Sequence, residues 1–134
     1  LLYSFPGSPT LFYGDEAGAQ GFEDPLNRGA FPWGSEDAAL TDFFRTLGQL
    51  RRTRESLRSG ALRYLLARGG ALVIERERGG ERTVTALNAG DAPADLTLAW
   101  DAPTAQDAVT GQRFLVIDGK AYLTLPPLNG VILI

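Results

Sequence analysis

Few side chains in this sequence could do chemistry, because it contains neither histidine nor cysteine. The usual general base and the commonest metal ligand are missing, and disulfides and thiolate metal sites are excluded. What remains is carboxylate and guanidinium chemistry. Asp15 and Glu16 stand side by side. Adjacent residues of an extended strand point to opposite faces and cannot both address one bond, so these two are expected to play a structural part at a strand's end. Asp24 and Arg28 offer acceptors and a forked set of donors; the alternative is that they pair with each other and shape their loop. No residue is expected to be catalytic or to ligate a metal, and no cofactor is expected.

These residues must be positioned by the elements around them. Residues 15–34 are rich in Gly, Pro, Asp and Asn without a sustained period, which predicts an unusually long loop, functional or disordered. Before it, residues 10–13 form a short apolar run between Pro9 and Gly14, predicting a buried strand with no partner nearby in sequence. After it, Leu40, Phe43, Phe44, Leu47 and Leu50 repeat at helical spacing. Ser35 is the expected cap, acidic residues sit at the positive end, and Arg51, Arg52 and Arg54 at the negative end form a solvated cluster that offsets the dipole.

From Gly60 onward the texture changes. Strands are expected over 62–66, 71–77, 82–88, 96–100, 114–117, 121–125 and 131–134. Gly69-Gly70, Gly79-Gly80 and Asp118-Gly119 supply the residues that tight hairpins need. Alternation through Leu96, Leu98 and Trp100, and through Ala121, Leu123 and Leu125, turns one face to a core, so two small antiparallel sheets should pack together. Trp100 shares the parity of that core.

At 134 residues, 44% hydrophobic and 22% charged, the chain suits one globular core. Its net charge of -3 argues against nucleic-acid or anionic-membrane partners, which favour a basic surface. No stretch is long enough to span a bilayer. The chain lacks methionine and begins at the bulky Leu1, so its natural front is expected to lie upstream, and a signal peptide can be neither seen nor excluded.

The run Phe5-Pro6-Gly7-Ser8-Pro9-Thr10-Leu11-Phe12-Tyr13-Gly14-Asp15-Glu16 resembles the eighth barrel strand of the α-amylase family of glycoside hydrolases. Asp24-Pro25-Leu26-Asn27-Arg28 and Phe31-Pro32-Trp33 resemble the following loop in its neopullulanase, cyclomaltodextrinase and maltogenic amylase group. Three later runs resemble the family's C-terminal domain: Ala71-Leu72-Val73-Ile74-Glu75-Arg76, Val84-Thr85-Ala86-Leu87-Asn88 and Leu125-Pro126-Pro127-Leu128-Asn129-Gly130-Val131.

The resemblance implies a mainly β chain. An antiparallel β-sandwich C-terminal domain, 56–134, would be preceded by one strand, a long loop and one helix, 1–55, left over from a truncated (β/α)8 barrel. It also implies a complete enzyme that cuts α-glucosidic bonds in starch-like or cyclic glucans with retention, through three carboxylates that precede Leu1. This chain alone is then inactive, because retention needs two carboxylates about 5–5.5 Å apart.

By the same resemblance Asp24 and Arg28 contact sugar hydroxyls of an α-glucan oligosaccharide in the complete enzyme, and the cytoplasm is slightly favoured as location. Phe22 and Trp33 could stack on glucose rings, although Trp33 could equally pack under the loop. Alternative readings are a non-catalytic carbohydrate-binding domain, using Trp100, Tyr64 and Tyr122, or a purely structural β domain. Loss of the rest of the barrel should expose Leu11, Phe12, Phe43, Phe44 and Leu47 and promote self-association.

Overall fold

In the computed structural model, which describes residues 1–134, the three glycine-bearing doublets turn the chain as their composition demands. Gly69 and Gly70 take φ of 59° and 81°, Gly79 and Gly80 57° and 83°, and Asp118 and Gly119 49° and 71°. Two successive positive φ values match the right-handed twist of the flanking strands. The hairpins joined this way are β1 (Ala61–Arg68), β2 (Ala71–Arg78) and β3 (Glu81–Asn88), then β6 (Arg113–Ile117) and β7 (Lys120–Leu125). β4 (Ala94–Ala99), the two-residue β5 (Ala105–Gln106) and β8 (Asn129–Leu133) complete two antiparallel sheets. The first runs β1-β2-β3-β8 and the second β4-β7-β6-β5.

Register decides which side chains meet between the sheets. Val73 pairs with Ala86, and Val84 with Leu133, so these residues face the second sheet together. There they join Leu96, Leu98, Trp100, Ala121, Leu123 and Leu125 in one buried cluster, which is the sandwich predicted from alternation. Buried polar side chains fasten its ends. Asn88 donates to the carbonyls of Ala92 (2.8 Å) and Leu125 (3.1 Å), and Asp107 accepts from the Ile132 N–H at 2.9 Å.

The other face of the first sheet is buried too. Ile74, Arg76, Thr83, Thr85 and Ile132 are all less than a tenth exposed and lie opposite α1 (Ala38–Thr53), α2 (Glu55–Ser59) and the N-terminal segment. The middle strands are therefore covered on both sides, which explains why β2 and β3 read as near-continuous buried runs.

The N-terminal segment is held by two buried arginines. Arg76 donates to the carbonyls of Ser4 (2.7 Å) and Gly60 (2.8 Å). Arg51 donates to those of Tyr3 (2.7 Å) and Phe5 (2.9 Å), and also to Gly7. Thr85 bonds the Ser4 hydroxyl at 2.7 Å. The sequence placed Arg51, Arg52 and Arg54 in a solvated cluster. Arg52 alone is exposed, since Arg51 is buried and Arg54 reaches Thr83 (3.0 Å) and the Arg82 carbonyl (3.0 Å).

Two further expectations change. Residues 10–13 form no ladder, and Phe12 is 64% exposed; a strand needs a neighbour to take its N–H and C=O groups, and none lies beside it. The helix cap is Asp37, whose carboxylate accepts from the Leu40 N–H at 3.0 Å. Ser35 is instead drawn into the preceding turn, its N–H bonded to the Pro32 carbonyl at 2.9 Å. No helix is long and apolar enough to cross a membrane.

Replacing Arg76 by Met strands buried carbonyls at Ser4 and Gly60, and this should cost about 2–4 kcal/mol in urea denaturation. Amide exchange in residues 1–7 should accelerate with it. A midpoint unchanged from the parent chain would show that water replaces the guanidinium without loss.

Candidate functional site

Residues 15–34 leave the end of the N-terminal segment through a 3-10 turn, Asp15–Ala17, flanked by Gly14 and Gly18 at φ 88° and 72°. Asp15 and Glu16 thus lie on a tight turn, and the extended strand expected for them is not formed. The turn is anchored to the start of α1. The Asp37 N–H donates to the Ala17 carbonyl and the Thr41 hydroxyl to the Glu16 carbonyl, both at 2.9 Å. Farther out, the Tyr13 hydroxyl donates to the Gly29 carbonyl at 3.0 Å and ties the loop's return to its start. Sequence reading assigned Tyr13 to a strand and missed this tie, because a tyrosine in an apolar run carries no sign of where its hydroxyl goes.

The anchored base raises a second short turn, Leu26–Arg28, after a cis Asp24–Pro25 peptide. Asp24 and Arg28 meet there as a two-pronged pair: Nε to Oδ1 at 2.6 Å and Nη2 to Oδ2 at 3.2 Å. Their side chains are 59% and 76% exposed. A pair so wet contributes about 0–1 kcal/mol to stability, so the fold does not depend on it. Phe22 and Trp33 are both 82% exposed. Trp33 does not pack under the loop; it leans on Phe31, ring centroids 4.5 Å apart.

A second polar site lies between the sheets, where β1 faces β4. Glu75 continues the core parity of Ala71 and Val73 and is 1% exposed. Arg63 bonds one of its oxygens at 2.7 Å, and Arg82 bonds the other. Arg82 also lies over the Trp100 ring, 4.9 Å from its centroid. Burial alone would raise the Glu75 carboxyl, but the hydrogen bonds and charges of Arg82 and Arg63 outweigh it and hold the group below its ordinary range. Glu81 behaves alike: burial opposes ionisation, and the Ser56 hydroxyl and N–H with Arg54 and Arg58 prevail. A carboxylate in core register was the available signal for this site, and it passed unread.

The aromatic surface considered for the β domain does not form. Trp100 is 4% exposed, its indole N–H bonded to the Thr104 carbonyl at 2.8 Å. Tyr122 stands opposite Leu115 and Thr97 on the outer face of the second sheet, whereas Tyr64 lies on β1 of the first. No group of three or more acidic side chains converges as a metal site would require.

Comparison with known proteins follows from this geometry. The chain is 35% identical over 149 residues to an amylopullulanase of Thermoanaerobacter thermohydrosulfuricus, an alignment that takes in 100% of this chain and 10% of the relative. It is 30% identical over 135 residues to a cyclomaltodextrinase of Geobacillus thermopakistaniensis, covering 96% of this chain and 23% of that protein. Among solved structures an Anoxybacillus α-amylase superposes with a TM-score of 0.88 at 30% identity, covering 98% of this chain and 30% of that one. The chain thus spans about a tenth to a quarter of the curated relatives' length. No family model matches it.

The depressed Glu75 carboxyl has a pH signature. Its contribution is full above the unfolded carboxyl value of about 4.5 and is lost as the pH falls through the lower folded value. Glu75→Gln should therefore cost about 2–3 kcal/mol at neutral pH, with the gap to the parent closing in strong acid. Denaturation curves across that range test this, and a constant gap would place the cost in packing instead.

Proposed function

The chain belongs to the α-amylase family of glycoside hydrolases, and from that premise we propose that it supplies part of an enzyme cleaving α-glucosidic bonds with retention in starch-like or cyclic glucans. Residues 1–55 are the last βα unit of its barrel, and residues 56–134 its C-terminal sandwich domain. The observation that carries this reading is the loop. A two-pronged carboxylate–guanidinium pair and two largely exposed aromatic rings, of which Trp33 leans on Phe31, stand on a base anchored to α1. Such groups suit vicinal hydroxyls and the apolar faces of sugar rings.

Catalysis is assigned to carboxylates outside this chain. Several carboxylates of this chain are already engaged, among them Asp24 by Arg28, Glu75 by Arg63 and Arg82, and Glu81 by Ser56. The sandwich also has a structural role, since Arg76 and Thr85 of its first sheet hold Ser4 of the preceding unit.

In the complete enzyme Asp24→Ala and Arg28→Ala should each lower kcat/KM on maltohexaose by about 10–100-fold, while the 134-residue chain alone should release no reducing ends. Unchanged kcat/KM in both variants would remove these residues from the substrate site.

Phe12 and Phe43 are 64% and 46% exposed, and in the complete barrel they are proposed to be covered by the missing units. The isolated chain should accordingly self-associate with rising concentration in sedimentation velocity, and Phe43→Ser should reduce this. A concentration-independent monomer would show that these surfaces do not drive contact.

A further inference from the structure

The turn that carries Asp24 and Arg28 is gripped at its backbone, and one side chain outside it does most of the gripping. The Tyr13 hydroxyl lies 3.0 Å from the Gly29 carbonyl and 3.4 Å from the Asn27 carbonyl. Those two carbonyls belong to the residues that flank Arg28. Inside the turn, the Leu26 N–H donates to the Glu23 carbonyl at 2.8 Å and the Arg28 N–H to the Pro25 carbonyl at 3.0 Å. The backbone beneath the pair is therefore held from within and from below.

A second contact closes the opposite leg of the loop. A Cβ added at Gly21 would lie 2.7 Å from the Asn27 Cα, well inside the roughly 3.5–4.0 Å at which carbon atoms settle. Glycine at this position lets the outgoing leg lie directly against the returning one. By contrast, the side chains of Asp24 and Arg28 are bonded only to each other.

This division has a use in binding. Two exposed side chains in a weak surface pair can exchange each other for ligand hydroxyls. They do so to advantage only where the backbone already stands in place, since ordering a loose loop subtracts from affinity. We infer that Tyr13, together with Gly21, is a positioning residue for substrate, acting through Arg28 and Asp24 without touching the sugar. The inference rests on the function proposed above. A pair that grips non-reacting hydroxyls holds substrate and transition state alike, so displacing it raises KM and leaves kcat nearly unchanged.

The test is steady-state kinetics of the complete enzyme on maltohexaose. Tyr13→Phe keeps the ring and removes only the hydroxyl; it should raise KM about 3–10-fold with kcat within about twofold. Gly21→Ala, which forces the two legs apart, should raise KM about tenfold. In the Asp24→Ala, Arg28→Ala double variant neither change should add more than about twofold, because the groups it places are gone. Thermal melts check that each variant folds. An unchanged kcat/KM in Tyr13→Phe, beside a loss in the double variant, would overturn the inference and leave the loop reading intact. An equal loss from Tyr13→Phe with and without Asp24 and Arg28 would also overturn it, making the hydroxyl a general support of the fold. Unchanged kinetics in the double variant would overturn the loop reading and this inference with it.

Discussion

Everything on the helical side of this structure depends on how the carbonyls of seven residues that join no helix or strand find donors. The segment Leu1–Gly7 joins no ladder, yet Ser4 is fully buried between α1 and the first sheet. Buried carbonyls must find donors, and the donors here are Arg51 from the helix and Arg76 from the sheet. Both guanidinium groups give up water to do this, and Arg76 is held below the usual arginine range by burial and then by the charge of Arg51. Two like charges brought together inside a protein are costly. They persist because each is surrounded by carbonyl dipoles.

That polar layer continues across residue 55. Composition changes there, and so does secondary structure, but the hydrogen bonds run across. Arg54 reaches Thr83, Ser56 holds Glu81, and Thr85 holds Ser4. The first sheet consequently has two unlike faces. One is hydrocarbon packed against the second sheet; the other is a polar layer of Ser4, Ser56, Thr83 and Arg76 with its bonds satisfied. Apolar burial has no preferred direction, whereas a hydrogen-bonded layer fixes angle as well as position. The sandwich thereby sets the place from which the loop of residues 15–34 departs.

What the sequence disclosed follows the same division. Period-two alternation and the three doublets were enough for the sandwich, because both signals are local and hairpin registers follow from the turn. The run at residues 10–13 has β-like composition, but a strand exists only beside another strand, and sequence does not show whether a neighbour is present. Ser35 and Asp37 are both good caps, and only the course of the chain through Gly34, at φ 77°, decided between them. Arg51 looked like any arginine near a helix end; its burial depends on a segment more than forty residues away. In the site, Asp24 and Arg28 were legible as a pair at helical spacing. The Glu75 cluster was not, since it joins side chains from β1, β2 and β3.

The two polar sites differ in what holds them. Asp24 and Arg28 are exposed and bonded only to each other, so a ligand can recruit either partner at the cost of a weak surface contact. The geometry of that pair is adaptable, and it suits a site completed by groups from elsewhere. Arg63 and Arg82 are tied to a carboxylate with almost no exposure, and moving either would strand a buried charge. Their geometry is fixed by that carboxylate, which ties β1, β2 and β3 together at this point. An adaptable pair can be recruited by groups from outside the chain, whereas a fixed cluster serves to hold strands in place.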